Sequence, residues 1–123
     1  DTGENLIGLL ERRLDSIVYR ARFSTTVFSA RQLINHGHVR VNGKKVNIAS
    51  YVVKEEDIIE IRDKSKQLAF IDIALANKER ETPEYIQLDE KNKKVTFVRT
   101  PKFNEVPYPV VMEPNLVIEY YSR

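Results

Sequence analysis

The sequence predicts an α+β domain: an antiparallel sheet, two short helices in its N-terminal part, and a third helix packed on the sheet. Three observations carry that expectation. Leu6, Leu9, Leu10, Leu14, Ile17 and Val18 recur at three- and four-residue spacing, and Val27, Ala30, Leu33 and Ile34 repeat the pattern, one apolar stripe per helix. Val39-Arg40-Val41 alternates ahead of Asn42-Gly43, a dipeptide suited to the two positive φ values of a tight hairpin turn. Further short apolar runs at 58–62, 85–88 and 95–98 supply more strands.

Taken in order, Asn5 can accept from the free amides of a first turn and cap a helix that runs to about Tyr19. Arg12, Arg13 and Arg20 fall off its apolar stripe and are expected to face outward. Residues 23–26 interrupt the pattern, and Thr25 or Thr26 caps a second helix from about Val27 to His36, with Arg31 away from its buried side. Gly37 follows where a left-handed residue usually ends a helix. A hairpin then pairs 38–41 with 44–48, Val39 and Val41 pointing one way, His38 and Arg40 the other.

Tyr51-Val52-Val53 reads as a short strand, 54–57 as a turn and 58–62 as a strand. Residues 65–80 read as a helix with Leu68, Ile71, Leu75 and either Phe70 or Ala74 inward, stopped by Thr82-Pro83. Residues 85–88 and 95–98 form a second hairpin around the polar loop 89–94. Pro101, Pro107, Pro109 and Pro114 mark an irregular connection before a last strand at 116–121, whose apolar density implies burial on both faces or at an interface.

Composition bounds the function. A chain of 123 residues, 41% hydrophobic and 31% charged, suits one domain with a real core. No stretch approaches the roughly 20 apolar residues of a membrane span, and the acidic first eleven residues are no signal peptide. Without cysteine there are no disulfides or thiolate sites, and a reducing compartment is expected. The chain starts at Asp1 without Met, so a longer parent is expected, whereas the terminal Tyr120-Tyr121-Ser122-Arg123 reads as a natural end. No nucleotide-binding, hydrolase or metalloprotease motif is present. His36 and His38 lack the companion ligands a zinc ion needs, and the acidic pairs fall in predicted turns or helix ends. We therefore predict no catalytic residues, no metal and no cofactor.

The charge is unevenly placed. The formal total is only +2, yet residues 12–45 hold eight basic residues against one acid, Asp15, a net +7. Charge that dense repels itself unless an anion answers it, and nucleic acid is the usual large anion. A merely solvated surface is the alternative reading. The candidate nucleic-acid contacts are Arg12, Arg13, Arg20, Arg22, Arg31, His36, His38, Arg40, Lys44 and Lys45, with Arg62, Lys64 and Lys66 as a second small cluster. Phe23, Phe28, Tyr51, Phe70 and Phe97 sit mostly at predicted inward positions. Recognition of folded RNA through backbone and shape therefore fits better than a stacking platform.

These residues carry a family resemblance. Residues 11–20 (ERRLDSIVYR), 30–48 (ARQLINHGHVRVNGKKVNI) and 117–123 (VIEYYSR) resemble the fourth small-subunit ribosomal protein of bacteria, over essentially the whole chain. The resemblance implies a single RNA-binding domain, 1–123, with its core module at about 12–62 and an extension at 63–123, and without the family's N-terminal helical domain. It implies binding to small-subunit ribosomal RNA early in assembly, through the ten residues named above. It further implies contact with the neighbouring fifth small-subunit protein that bears on decoding accuracy, and, in some members, repression of the parent messenger RNA. A cytoplasmic, ribosome-bound location without membrane contact follows. The module also occurs in RNA-modifying enzymes and tyrosyl-tRNA synthetases, so an RNA-binding appendage of an enzyme is the alternative, and a protein–protein module using the 116–121 strand is a third. Two positions depart from the family pattern: Ala49 stands for the usual Pro, and Glu56 for the usual Gly. If position 56 keeps a positive φ, the departure costs about 1 kcal/mol. Thr26-Val27-Phe28 replaces a more basic start of the second helix.

Overall fold

Five antiparallel strands in the order β2-β1-β3-β5-β4 frame the molecule, in a computed structural model that describes residues 8–77 and 81–101. They are β1 (Val39–Val41), β2 (Lys44–Lys45), β3 (Ile58–Ile61), β4 (Ile86–Asp89) and β5 (Lys94–Phe97). Among the described residues, helical residues 8–11 and three helices accompany them: α1 (Leu14–Arg20), α2 (Val27–Asn35) and α3 (Ala69–Ala76). The α+β class holds.

Register sets the two faces of the sheet. Val41 opposes Ile59, Ile59 opposes Val95, and Val95 opposes Leu88, giving an apolar row across four strands. Side chains alternate along each strand, so Arg40, Glu60 and Lys94 line up on the opposite face. The apolar faces of α1, α2 and α3 close over the first face in one continuous core, with Phe23, Tyr85 and Phe97 among its largest buried side chains.

The first helix differs from its sequence reading. Residues 8–11 are helical, but Arg12 turns and Arg13 is extended, bridging Val52. Backbone bonds to a distant segment outweigh the local apolar period here. Leu14 N–H donates to Tyr51 C=O (2.8 Å), Asp15 N–H to Ala49 C=O (3.1 Å), and Val53 N–H to Arg12 C=O (2.7 Å). The expected 51–53 strand is reduced to that single bridge. Because α1 is buried on nearly every side, Asp15, Ser16 and Arg20 join its apolar residues inside.

The second helix is as expected. Thr26 accepts from Ser29 N–H (3.0 Å) in a reciprocal capping box, and Val27, Ala30, Leu33 and Ile34 are buried. Gly37 ends it at φ +82°. Asn42 and Gly43 take φ values of 51° and 82°, the turn that the dipeptide was read to make. The returning strand is shorter than read, two residues instead of five. The third helix is also shorter, preceded by the 3-10 turn Asp63–Ser65 and ending at Ala76, well before Thr82-Pro83. Ile71, Ala74 and Leu75 face the core, and Phe70 does not. The expected strand at 116–121, and Pro107, Pro109 and Pro114, lie outside the described residues.

Candidate nucleic-acid interface

The hairpin and the helix–strand junction before it form the most exposed cationic surface. Lys44, Lys45 and His36 are exposed, and Arg40 and His38 are partly so. Lys45 is tied to the junction by shape: a Cβ on Gly37 would lie 2.8 Å from its Cε. The lysine stem therefore lies over a glycine whose positive φ strains any L side chain, whereas the flexible end of Lys45 can give way to a Cβ. Along the outer row, Lys45 opposes Arg40, Arg40 opposes Glu60, Glu60 opposes Lys94 and Lys94 opposes Asp89. Charges alternate toward β4, so the positive excess is at the β1–β2 end. Nearby, Asp63 has a lowered pKa, first through its hydrogen bond and charge pairing with Lys66, then through Arg40 and Lys94.

His38 is linked to Arg62 through a serine hydroxyl. Arg62 Nε–H can only donate, and it donates to Ser65 Oγ (2.8 Å). Ser65 Oγ is also 2.7 Å from His38 Nδ1, a hydrogen bond whose direction is set by the imidazole tautomer. Burial lowers the His38 pKa, and the charges of Arg62 and His36 lower it further. The two imidazoles meet edge to face with centroids 6.4 Å apart.

A second feature lies where α1 and α2 meet. Asp15 is fully buried and binds two guanidinium groups. Arg13 approaches bidentately, Nε to Oδ1 (3.2 Å) and Nη2 to Oδ2 (3.0 Å). Arg31 Nε donates to the same Oδ2 (3.0 Å). The arginine side chains are about a quarter exposed, at 23% and 28%. Asp15 N–H donates to Ala49 C=O. Four residues separate Ala49 from Lys45, a span of at most about 14 Å. The arginine pair and the cationic hairpin are thus joined through the short 45–49 segment.

Other candidates are placed differently. Arg20 was expected to face outward and is instead buried, with Nε 3.0 Å from Glu11 Oε1, while Tyr85 Oη donates to the same oxygen. The break at residues 12–13 had put the apolar stripe out of phase. Arg22 is also buried: its Nη1 donates to the carbonyls of Leu75 (2.8 Å) and Asn77 (3.3 Å), and Nη2 pairs with Glu90 (3.1 Å). It caps the C-terminal end of α3. Arg12 is partly buried and donates from Nε to Val53 C=O (3.3 Å). The ten candidate residues therefore do not share one open face. Five surround the hairpin and junction, two are gathered by Asp15, one edges the 51–53 segment, and two serve the interior.

The aromatic residues also need correcting. Phe23 and Phe97 are buried as read, but Phe28 is 68% exposed, Phe70 48% and Tyr51 36%. A cleft of about 530 Å³ opens between α2 and α3, bordered by Gln32, His36, His38, Phe70 and Ile73. Sequence reasoning missed Asp15 as an organiser and Ser65 as the partner of His38. The first had a signal, being the lone acid in the cationic stretch; the second had none at that separation in sequence. Among the described residues, no helix is long and apolar enough to cross a membrane.

Comparison with known proteins bears on the family. The S4 domain family matches residues 12–59. Over all 123 residues the chain is 94% identical to small ribosomal subunit protein uS4 of Pelagibacter ubique. It is 64% identical to that of Gluconobacter oxydans and 63% to that of Ruegeria pomeroyi. In each case all of this chain is matched, and it spans 60% of the relative's length.

Proposed function

Because this chain belongs to the uS4 family of small ribosomal subunit proteins, we propose that it binds small-subunit ribosomal RNA as a structural constituent of the subunit, without catalysis. The observation that carries the proposal is the cationic end of the sheet. Arg40, Lys44 and Lys45 project from a rigid Asn-Gly hairpin beside His36 and His38, and among the described residues no carboxylate lies within ion-pair distance of Lys44 or Lys45. Lysines and arginines on such a frame bind phosphates and orient the protein without reading sequence. Arg12, Arg13 and Arg31 extend that contact, whereas Arg20 and Arg22 contribute by holding the fold. The match across all 123 residues, beyond 12–59, supports the ribosomal reading over an appendage of an RNA-modifying enzyme.

The same reading carries finer roles: nucleating small-subunit assembly, supporting decoding accuracy with the neighbouring fifth small-subunit protein, and binding the parent messenger RNA. The setting would be cytoplasmic and ribosomal. The test is chemical footprinting of this chain on small-subunit ribosomal RNA. A discrete set of protections, lost when Lys44 and Lys45 are both changed to Glu, is expected. Absence of any protection at low salt would overturn the reading.

A further inference from the structure

The single acid within the cationic segment is an odd choice for a surface that binds a polyanion. By simple Coulomb reasoning, Asp15 should weaken RNA binding, because a negative charge near phosphate repels it. Its geometry implies the opposite. The carboxylate is fully buried, and its oxygens accept from Arg13 Nε, Arg13 Nη2, Arg31 Nε and the Ser16 N–H (2.8 Å). Desolvating a carboxylate is expensive unless its lone pairs are met in good geometry, and here they are met by four donors.

Arg13 is extended ahead of α1 and Arg31 lies in α2, yet two of their nitrogens lie 3.0 Å from the same Oδ2. Those nitrogens are therefore within about 6 Å of each other. Without the shared anion, two cations that close would move apart. With it, each guanidinium is fixed in orientation through Nε, the atom nearest its stem. Among the described residues both Nη groups of Arg31 are unengaged.

We infer that Asp15 is a positioning residue for RNA binding: its buried carboxylate sets Arg13 and Arg31 as a paired guanidinium clamp for the phosphate oxygens of the RNA backbone. The inference rests on the proposed RNA-binding function and deepens it. Ordering two arginines in advance removes the cost of freezing their side chains at the moment of binding. The Nη fork of Arg31, beside the Arg13 charge, also suits the spread oxygens of a phosphodiester better than a mobile ammonium group.

The experiment measures binding of this chain to a small-subunit ribosomal RNA transcript at fixed magnesium and ionic strength. Asp15→Asn keeps the size of the side chain and makes the protein more positive. The clamp predicts roughly tenfold weaker binding, about one charge-assisted hydrogen bond lost. Equal or tighter binding would overturn the inference. Arg31→Lys, which keeps the charge and loses the fork, should weaken binding several-fold; unchanged affinity would overturn it equally, and this variant decides the matter if Asp15→Asn fails to fold. In an Arg13→Ala/Arg31→Ala background, Asp15→Asn should bring no further loss, whereas a second tenfold loss would show that the acid acts on the fold and not through the arginines. If the parent chain itself binds no transcript, the proposed function fails first, and the two failures are told apart.

Discussion

Glu56 offers the most direct quantitative check on the backbone. Its φ is +71°, in the left-handed region that an L side chain enters at a cost of about 1–2 kcal/mol. The surroundings hold it there. Glu56 N–H donates to Phe97 C=O (2.6 Å), Asp57 N–H to Lys54 C=O (3.1 Å), and Lys54 N–H to Asp57 Oδ2 (2.9 Å). Glu56→Gly removes the Cβ conflict, but glycine loses about 0.5–1 kcal/mol through the greater freedom of the unfolded chain. The net is a stabilisation of roughly 0.5–1 kcal/mol, raising Tm by about 2–6 °C in a domain of this size. Glu56→Ala controls for charge, since it removes the carboxylate from the 55–57 acidic run and keeps the Cβ. Urea unfolding followed by circular dichroism should show a higher midpoint with unchanged slope for the glycine variant alone. A glycine variant no more stable than the alanine variant would refute the strain reasoning.

The remaining predictions concern the cations and His38. Arg22→Ala should cost roughly 2–3 kcal/mol in urea, because it uncaps α3 and breaks a buried guanidinium's bonds, while leaving the RNA affinity of the folded protein within about twofold. Arg20→Ala should cost about 3–5 kcal/mol, since it leaves Glu11 buried without its guanidinium; a loss below 1 kcal/mol would show that pair to be dispensable. By NMR titration, the His38 imidazole should have its midpoint below 6.5, and Arg62→Ala should move it upward. As the folded pKa lies below the unfolded one, the stability linked to His38 is complete above pH 6.5 and is lost as the pH falls through the folded midpoint. Stability flat over that window in the parent, but not in His38→Gln, would contradict this.

Much of the architecture was legible because local signals and tertiary structure agree. Thr26, Gly37 and Asn42-Gly43 each have side-chain chemistry that admits few backbone conformations, and each does what that chemistry dictates. The helix break at Arg12 and Arg13 was not legible. It is imposed by hydrogen bonds to residues 49–53, which no period in the first twenty residues reveals. The consequence reached the site. With the stripe read straight through the break, Arg20 was placed outward, whereas it is buried against Glu11. Arg22 failed for a different reason: its carbonyl partners at Leu75 and Asn77 lie more than fifty residues away, beyond any local pattern. The hairpin cations were legible because an exposed two-residue turn leaves its neighbours few places to hide a charge.

The central claim is that phosphate contacts from the hairpin and its neighbours supply the affinity. It is tested most directly by the dependence of ribosomal RNA binding on salt, for the parent chain and for Lys44→Ala/Lys45→Ala. If about six phosphates are neutralised, log Kd against log salt should have a slope of magnitude roughly 4–5, and removing the two lysines should lower that magnitude by about 1.5. A slope near zero, or one that the loss of Lys44 and Lys45 leaves unchanged, would contradict the account.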